Sequence, residues 1–169
     1  MDAMEAILTR RSIRRYTEKP VSDEVLKELL EAAMCAPSAG NQQPWCFIVI
    51  NDRKLLDEIP KLHPYARMLK EAPVAILVCC DSDLQLGDYG VQDCSAATQN
   101  ILLAAQAKGL GAVWLGVYPL GQRVTAIQKL LNLPENITPI SLISIGYPAE
   151  QKPPPDRYRA DRVHYNRWE

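Results

Sequence analysis

Four arginines and one serine lie close together near the start of the chain, in the segment Arg10–Arg15. A guanidinium group presents a planar fork of donors that fits two phosphate oxygens at once, and a serine hydroxyl adds a neutral donor. The segment is therefore suited to binding a phosphate group. The solvated basic end of a helix would contain the same residues, and the segment taken alone slightly favours that simpler interpretation.

A second cluster of polar side chains lies in the segment Ala36–Pro44, whose two prolines prevent it from continuing a helix or joining the centre of a sheet. This loop carries neutral hydrogen-bonding groups at Ser38, Asn41, Gln42 and Gln43. Neutral donors and acceptors on a stiff loop suit the edge of a flat heterocycle. An ordinary polar turn between a helix and a strand is the alternative interpretation.

Three other patterns are rejected as sites. Gly109 and Gly111 begin a GxGxxG pattern, but Trp114 stands at the third glycine position and the glycines follow a predicted helix instead of a strand. Cys94 lies on an apolar helical stripe far in sequence from either histidine, which is typical of a buried structural cysteine. No CxxC spacing occurs and both histidines are isolated, so we expect no zinc site.

The charges are distributed unevenly along the chain, although 19 basic residues nearly balance 20 acidic ones. Residues 1–20 and residues 151–169 each contain five basic and three acidic residues, whereas residues 21–150 contain nine and fourteen. If the two basic ends met in space, they would form an anion site on an acidic protein. Such a site suits a small phosphorylated ligand better than a nucleic acid.

The spacing of apolar residues predicts the elements that must position these side chains. Helices are predicted at 2–11, 23–35, 53–59, 66–71, 88–108 and 123–131, and strands at 46–50, 74–80, 112–117 and 140–145. The first two strands are nearly continuous apolar runs, which is typical of strands buried on both faces. After Pro148 the chain is rich in proline and charge, but Tyr158, Tyr165 and Trp168 favour docking of this tail on another surface.

The length of 169 residues and the hydrophobic fraction of 47% suffice for one compact domain. The longest apolar runs, such as Val74–Cys80, are much shorter than a membrane span, and Met1–Arg11 lacks the apolar core of a signal peptide. The cysteines are interpreted as small buried residues of a reducing compartment. These features predict a cytoplasmic protein with no membrane partner.

Five short motifs occur in order along nearly the whole chain. They are Arg10-Arg-Ser-Ile-Arg14, Pro37-Ser-Ala-Gly-Asn-Gln-Gln-Pro-Trp45, Gly109-Leu-Gly-Ala-Val-Trp-Leu-Gly116, Ile145-Gly-Tyr-Pro148 and Val163-His-Tyr-Asn-Arg-Trp168. Each motif is weak by itself. In this order and spacing they resemble the nitroreductase family of FMN-dependent, NAD(P)H-using enzymes, in its small single-domain form.

The resemblance implies an α+β fold with three layers, α/β/α, in which a mixed four-stranded sheet lies between helices. Residues 1–148 would form the FMN-binding core. Residues 149–169 would form a proline-rich C-terminal arm that contributes to the phosphate site and crosses to the partner subunit, within a single domain overall. The resemblance also implies a homodimer with two shared active sites, so that a monomer would be inactive.

The resemblance further implies where FMN binds. The phosphate and ribityl chain would contact Arg10, Arg11, Ser12 and Arg14, and the late basic segment would complete this site with Arg157 and Arg159, of which Arg157 is the better match. A loop from the partner subunit would line the isoalloxazine ring with Pro37, Ser38, Ala39 and Asn41, together with Gln43, whose match is weaker.

The remaining implied contacts surround the ring. The segment Trp114, Leu115 and Gly116 looks like the family's strand end whose backbone N–H groups face the hydride-accepting nitrogen, so that no side chain is needed as a catalytic acid. Arg67 occupies roughly the position of a basic residue near the pyrimidine edge. Tyr65 and Tyr118 would border the pocket or lie on the surface.

The implied activity is hydride transfer from NAD(P)H through FMN to a nitroaromatic, a quinone or a related small oxidised acceptor, in a ping-pong sequence. Neither a metal nor a nucleic acid is expected. Other flavin reactions on the same scaffold, such as dehalogenation, azoline oxidation or flavin fragmentation, are the alternative, as is a non-enzymatic FMN-binding protein.

Overall fold

The computed structural model describes residues 1–168, which contain five α-helices and four β-strands. In chain order these are α1 (Ala3–Thr9), α2 (Asp23–Met34), β1 (Trp45–Ile50), α3 (Arg53–Leu62), β2 (Val74–Asp81), α4 (Gly90–Ala107), β3 (Gly111–Gly116), α5 (Gly121–Leu131) and β4 (Ile137–Gly146). The helix predicted at 66–71 is a single 3-10 turn, Arg67–Lys70. It ends early because Pro73 disfavours helical backbone at the residue before it.

The strands form one sheet in the order β1-β2-β4-β3, and every pair of neighbouring strands is antiparallel. The expectation of a mixed sheet is therefore wrong. Helix α4 does return the chain so that β2 and β3 run in the same direction, but β4 lies between them and is antiparallel to both. Within residues 1–168, the parallel contact is an isolated bridge between Ser12 and Ala112.

Helices cover both faces of the sheet, which confirms the α+β class and the three layers. Alternate residues of β2 enter two separate cores, as the two-residue period of a strand requires. Val74, Ile76 and Val78 pack in the core that contains residues of α2 and α4. Ala75 and Leu77 pack in the core that contains residues of α3 and α5.

Strand β1 differs from its prediction. Its four inner residues, 46–49, are only partly buried, whereas β2 is buried along almost its whole length. The difference arises because β1 lies at the edge of the sheet and has one neighbour, whereas β2 has two. The apolar composition of both segments is similar and could not distinguish an edge strand from a central one. No helix within residues 1–168 is both long enough and apolar enough to span a bilayer.

Candidate functional site

The arginine-rich segment Arg10–Arg14 is fixed against the beginning of β3. The N–H of Ile13 donates to a β3 carbonyl at 3.1 Å, and the Ile13 side chain packs on Gly111, where a Cβ would lie 2.6 Å from Ile13 Cγ2. The Tyr16 hydroxyl donates to the Ile13 carbonyl at 2.7 Å and lies 2.6 Å from Ser144 Oγ. These buried contacts position the arginines on either side of Ile13.

The basic end of the chain returns to this segment. The ammonium group of Lys152 donates to the Ser12 carbonyl at 2.6 Å, and the guanidinium of Arg11 donates to the Pro153 carbonyl. The two basic ends of the sequence therefore lie side by side, which is the arrangement they need if they are to form an anion site. This arrangement depends on hydrogen bonds from side chains to backbone carbonyls, and the residues they join are 142 and 140 positions apart in the chain.

Arg10, Arg11 and Arg157 form a cluster of like charges. Burial lowers the pKa of Arg10 below its ordinary value, and the positive charges of Arg157 and Arg11 lower it further. Arg159 is engaged elsewhere, because its Nε and Nη2 atoms each lie 3.0 Å from a carboxylate oxygen of Asp161. Of the two late arginines, Arg157 is thus the one whose charge acts on Arg10.

A cavity of about 470 Å³ lies beside the end of β3. Five of the residues expected around the flavin line it, namely Arg14, Arg67, Trp114, Leu115 and Gly116. Tyr65, for which the border of the pocket or the surface is predicted, also lines the cavity. Four residues that the sequence did not indicate complete the wall; they are His63, Pro64, Met68 and Arg123. Tyr118 lies outside this cavity and lines a separate one with Cys80 and Ile140.

His63 and Arg123 both hold the carbonyl of Gly116 at the wall of this cavity. His63 Nε2 lies 2.9 Å from the carbonyl oxygen and Arg123 Nη1 lies 3.1 Å from it. The Tyr65 N–H donates to His63 Nδ1 at 3.3 Å, so the ring proton belongs on Nε2, which donates to Gly116. Burial lowers the pKa of His63 below its ordinary value of 6.5, and the charge of Arg123 lowers it further, which favours the neutral ring.

Sequence spacing could not have revealed this cluster. The partner of His63 is a backbone carbonyl 53 positions later in the chain, and carbonyls leave no signature in the residue types. The spacing around Arg123 predicts a helix and nothing more, and its contact with the end of β3 brings it to the cavity.

The predicted ring-lining loop residues lie elsewhere in the single chain. They are Pro37, Ser38, Ala39, Asn41 and Gln43, and none of them is among the described residues that line the cavity. The loop is tied to α4 and to itself: the Ala39 N–H donates to Asp93 Oδ1 at 3.0 Å, and the Gln43 N–H donates to Ser38 Oγ at 2.9 Å. Asn41 and Gln43 adopt left-handed backbone, with φ of 56° and 53°, which residues other than glycine seldom adopt.

Neither Cys94 nor any cluster of metal-ligating side chains within residues 1–168 forms a second candidate site. Cys94 is fully buried, and burial raises the pKa of its thiol far above the ordinary value, as expected of a structural cysteine. Across residues 1–168, no three side chains from His, Cys, Asp and Glu come together in a way that could hold a metal ion.

Comparison with known proteins places this geometry in a family. The sequence model of the nitroreductase family matches residues 7–67 and 60–147. A protein of Methanothermobacter thermautotrophicus, provisionally named NADH dehydrogenase/NAD(P)H nitroreductase, is 53% identical over 169 residues, which cover 99% of this chain and 88% of that protein.

Solved structures agree with the sequence match. A Parabacteroides distasonis protein with the same provisional name has a TM-score of 0.95 and 44% identity, with 98% of both chains covered. A provisionally named nitroreductase from Desulfovibrio desulfuricans, solved in complex with FMN, has a TM-score of 0.85 and 35% identity, with 100% of this chain and 99% of that chain covered. Since sequence and fold agree over nearly the full length, this chain belongs to the nitroreductase family.

Proposed function

We propose that the protein is an FMN-dependent oxidoreductase that takes electrons from NAD(P)H and reduces a small oxidised acceptor such as a nitroaromatic or a quinone. The observation that carries the proposal is that the cationic cluster, Arg10, Arg11 and Arg157, and the cavity lie at opposite ends of the same edge strand. The cluster lies beside the beginning of β3 and the cavity beside its end, about 17 Å apart at the usual rise per strand residue. An elongated molecule with a phosphate at one end and a flat ring at the other fits this arrangement.

The phosphate end of FMN fits the residues that converge there. Arg10, Arg11 and Arg157 bring three positive charges together, and the repulsion among them is relieved by a bound anion. Ser12 lies within the same segment and is only partly exposed. Bound phosphate would therefore stabilise a cluster that is electrostatically unfavourable without it.

The ring end fits the end of β3. This strand lies at the sheet edge, so alternate backbone N–H groups of Trp114–Gly116 point away from β4 and are free to donate to a ligand. Arg14 and Arg67 add positive charge to the cavity wall, which would favour a reduced, anionic ring. When bound, FMN would supply the hydride chemistry, accepting from NAD(P)H and passing the electrons to the acceptor.

A second subunit would complete the site. In the single chain the loop Pro37–Gln43 lies away from the cavity, so a partner copy must supply it if it is to line the ring. Tyr158, Tyr165 and Trp168 of the arm are 78%, 82% and 83% exposed, an unusual exposure for large aromatic side chains that a partner surface would cover. We therefore include a homodimer with two shared sites, and the arm 149–169 as its crossing segment, in the proposal. A cytoplasmic location is also included, supported by five free cysteines.

The visible spectrum of the purified protein, recorded without oxygen, tests the proposal. We expect a flavin spectrum that bleaches on addition of NADPH or NADH and returns when a nitroaromatic or quinone is added. Bound flavin that neither nucleotide bleaches would indicate another flavin reaction or a flavin-binding protein. A protein that holds no flavin and takes up none would contradict the cofactor assignment. Sedimentation of the same sample should give about twice the chain mass of 18.9 kDa.

A further inference from the structure

Arg123 is held in a fixed orientation at the cavity. It lies in the first turn of α5, its Nη1 donates to the Gly116 carbonyl at 3.1 Å, and its guanidinium carbon lies 5.5 Å from the centre of the Tyr65 ring. The Tyr65 ring also meets the His63 ring edge to face, at 6.2 Å between centres. The orientation of the guanidinium is thus set by a backbone carbonyl on one side and an aromatic face on the other.

No carboxylate satisfies this arginine. Arg15, Arg53 and Arg159 each form an ion pair with a carboxylate, whereas Arg123 forms none within residues 1–168. The described residues that line the cavity include three arginines and no Asp or Glu. Within the part of the chain that the structure describes, Arg123 donates one hydrogen bond, so most of its donor fork is available there.

An oriented guanidinium with unused donors in a cavity that contains no acid is an anion receptor. The surfaces beside it are suited to a flat ring, because the Tyr65 side chain is 70% exposed and Trp114 is 36% exposed. The resemblance already assigns other arginines to the cofactor: those of the segment Arg10–Arg14 and Arg157 to the phosphate and ribityl chain, and Arg67 to the ring. Arg123 is left for the second molecule that must enter the cavity.

We propose that Arg123 determines acceptor specificity by binding a carboxylate on an aromatic acceptor, so that the enzyme prefers aromatic acids to their neutral analogues. The inference rests on the proposed function, because it names the substrate class of the same site. Arg10, Arg11 and Arg157 lie at the other end of β3, about 17 Å away at the usual rise per strand residue, and so do not serve this carboxylate. The negatively charged substituent therefore points toward α5 and the aromatic ring toward the end of β3.

The test compares a carboxylate with its nearly isosteric amide. Benzoate and benzamide are titrated into the purified protein by calorimetry, and 4-nitrobenzoate and 4-nitrobenzamide are compared as acceptors by kcat/KM. We expect the acid to bind and react about tenfold or more better than the amide, the effect of one charge-assisted hydrogen-bonding group. In Arg123→Gln the ratio of the constants for the acid to those for the amide should fall to near unity. Because this ratio is taken within one variant, a loss common to both compounds from release of the Gly116 carbonyl cancels.

Two further variants separate charge from geometry. Arg123→Lys keeps the charge and should keep part of the preference. Lys129→Gln removes one positive charge from the same helix outside the cavity and should keep all of it. An unchanged preference in Arg123→Gln would overturn the proposal, as would equal binding of benzoate and benzamide by the unaltered protein.

The outcomes also distinguish the sources of the anion and the level of failure. If Arg123→Gln raises the KM for NADH or NADPH and leaves the acid preference intact, Arg123 binds a phosphate of the reductant and the acceptor proposal is wrong. If the protein binds benzoate through Arg123 but reduces neither nitro compound, the proposed function fails while the anion site stands. If both nitro compounds are reduced equally, the proposed function stands and the specificity inference fails.

Discussion

His63 is almost fully buried, yet each of its ring nitrogens has a hydrogen-bonding partner. It accepts from the Tyr65 N–H through Nδ1 and donates to the Gly116 carbonyl through Nε2, an arrangement available only to the neutral ring. Protonation would replace the accepting lone pair by a second donor directed at an N–H group. His63 is therefore a positioning residue for the end of β3, acting through the Gly116 carbonyl.

This arrangement predicts how stability depends on pH. Because the folded pKa of His63 lies below the unfolded value, the unfolded chain binds a proton first as the pH falls. The contribution of His63 to the free energy of unfolding should be fully present above its ordinary pKa of 6.5. It should be lost as the pH falls from there through the folded pKa. Urea unfolding at pH 7.5 and at pH 5.5 measures the decrease.

The variant His63→Leu provides the comparison for that prediction. It should be less stable at pH 7.5 by about 1–3 kcal/mol, because it removes hydrogen bonds from buried groups. It should also lose less stability between the two pH values than the unaltered protein does. Lys61→Gln, an exposed neighbour on α3, serves as the control. Equal pH dependence in the unaltered protein and in His63→Leu would contradict the assignment.

At the scale of elements, β3 links the two ends of the candidate site. Its first residue, Gly111, lies against Ile13 and thereby sets the distance of the arginine-rich segment from the sheet. Its last residue, Gly116, is held by a histidine from the end of α3 and an arginine from the beginning of α5. The short strand thus links the packing of Ile13 on Gly111 to both ends of the candidate site.

Gly111→Ala tests this role of β3. The added Cβ would lie 2.6 Å from Ile13 Cγ2 and 2.8 Å from Ile13 Cβ, so the segment that carries Arg10–Arg14 must move. We expect a loss of about 1–3 kcal/mol in the free energy of unfolding, as for other overpacked cores, together with weaker FMN binding.

The matched control is Gly121→Ala at the beginning of α5, where a Cβ would meet nothing within 4 Å. Alanine suits a helix better than glycine does, so this variant should unfold at an equal or higher urea concentration. If both variants retained full stability and full FMN affinity, the packing of Ile13 on Gly111 would not position the arginine-rich segment Arg10–Arg14.

At the scale of the whole molecule, the site joins the two ends of the chain. Lys152 and Pro153 contact the N-terminal segment directly, and Arg157 follows within a few residues. The charge of Arg157 acts on Arg10, whereas Arg159 is paired with Asp161. Two arginines two residues apart therefore have different surroundings.

The difference predicts different effects on cofactor binding. Arg157→Gln should weaken the binding of FMN to flavin-free protein about tenfold or more, because one charge-assisted phosphate contact is lost. Arg159→Gln should change the affinity little. Fluorescence titration of both variants with FMN gives the two dissociation constants. A larger loss in Arg159→Gln would mean that the arm rearranges and that Asp161 releases its arginine.

The sequence by itself determined the elements, and through the family resemblance it predicted the fold class and the residues of the candidate site. Alternating and helical apolar spacing is a local property, so the positions of β2, α4 and β4 could be predicted within a few residues. The arginines and the serine of Arg10–Arg14 are visible in the residue types as a candidate phosphate site. Trp114–Gly116 was predicted only through the family resemblance, because backbone N–H groups leave no signature in the sequence. The uneven charge predicted an anion site only if the chain ends met, and the tertiary structure shows that they do.

Only the tertiary structure decided which elements are neighbours. Strand order depends on pairing between distant segments, so neither the insertion of β4 between β2 and β3 nor the edge position of β1 could be read from local patterns. The same holds for His63 and Arg123, whose common partner is a backbone carbonyl at the end of β3. The type of a residue determines which groups it can bind. Its actual partner is determined by packing, which brings together residues far apart in the chain.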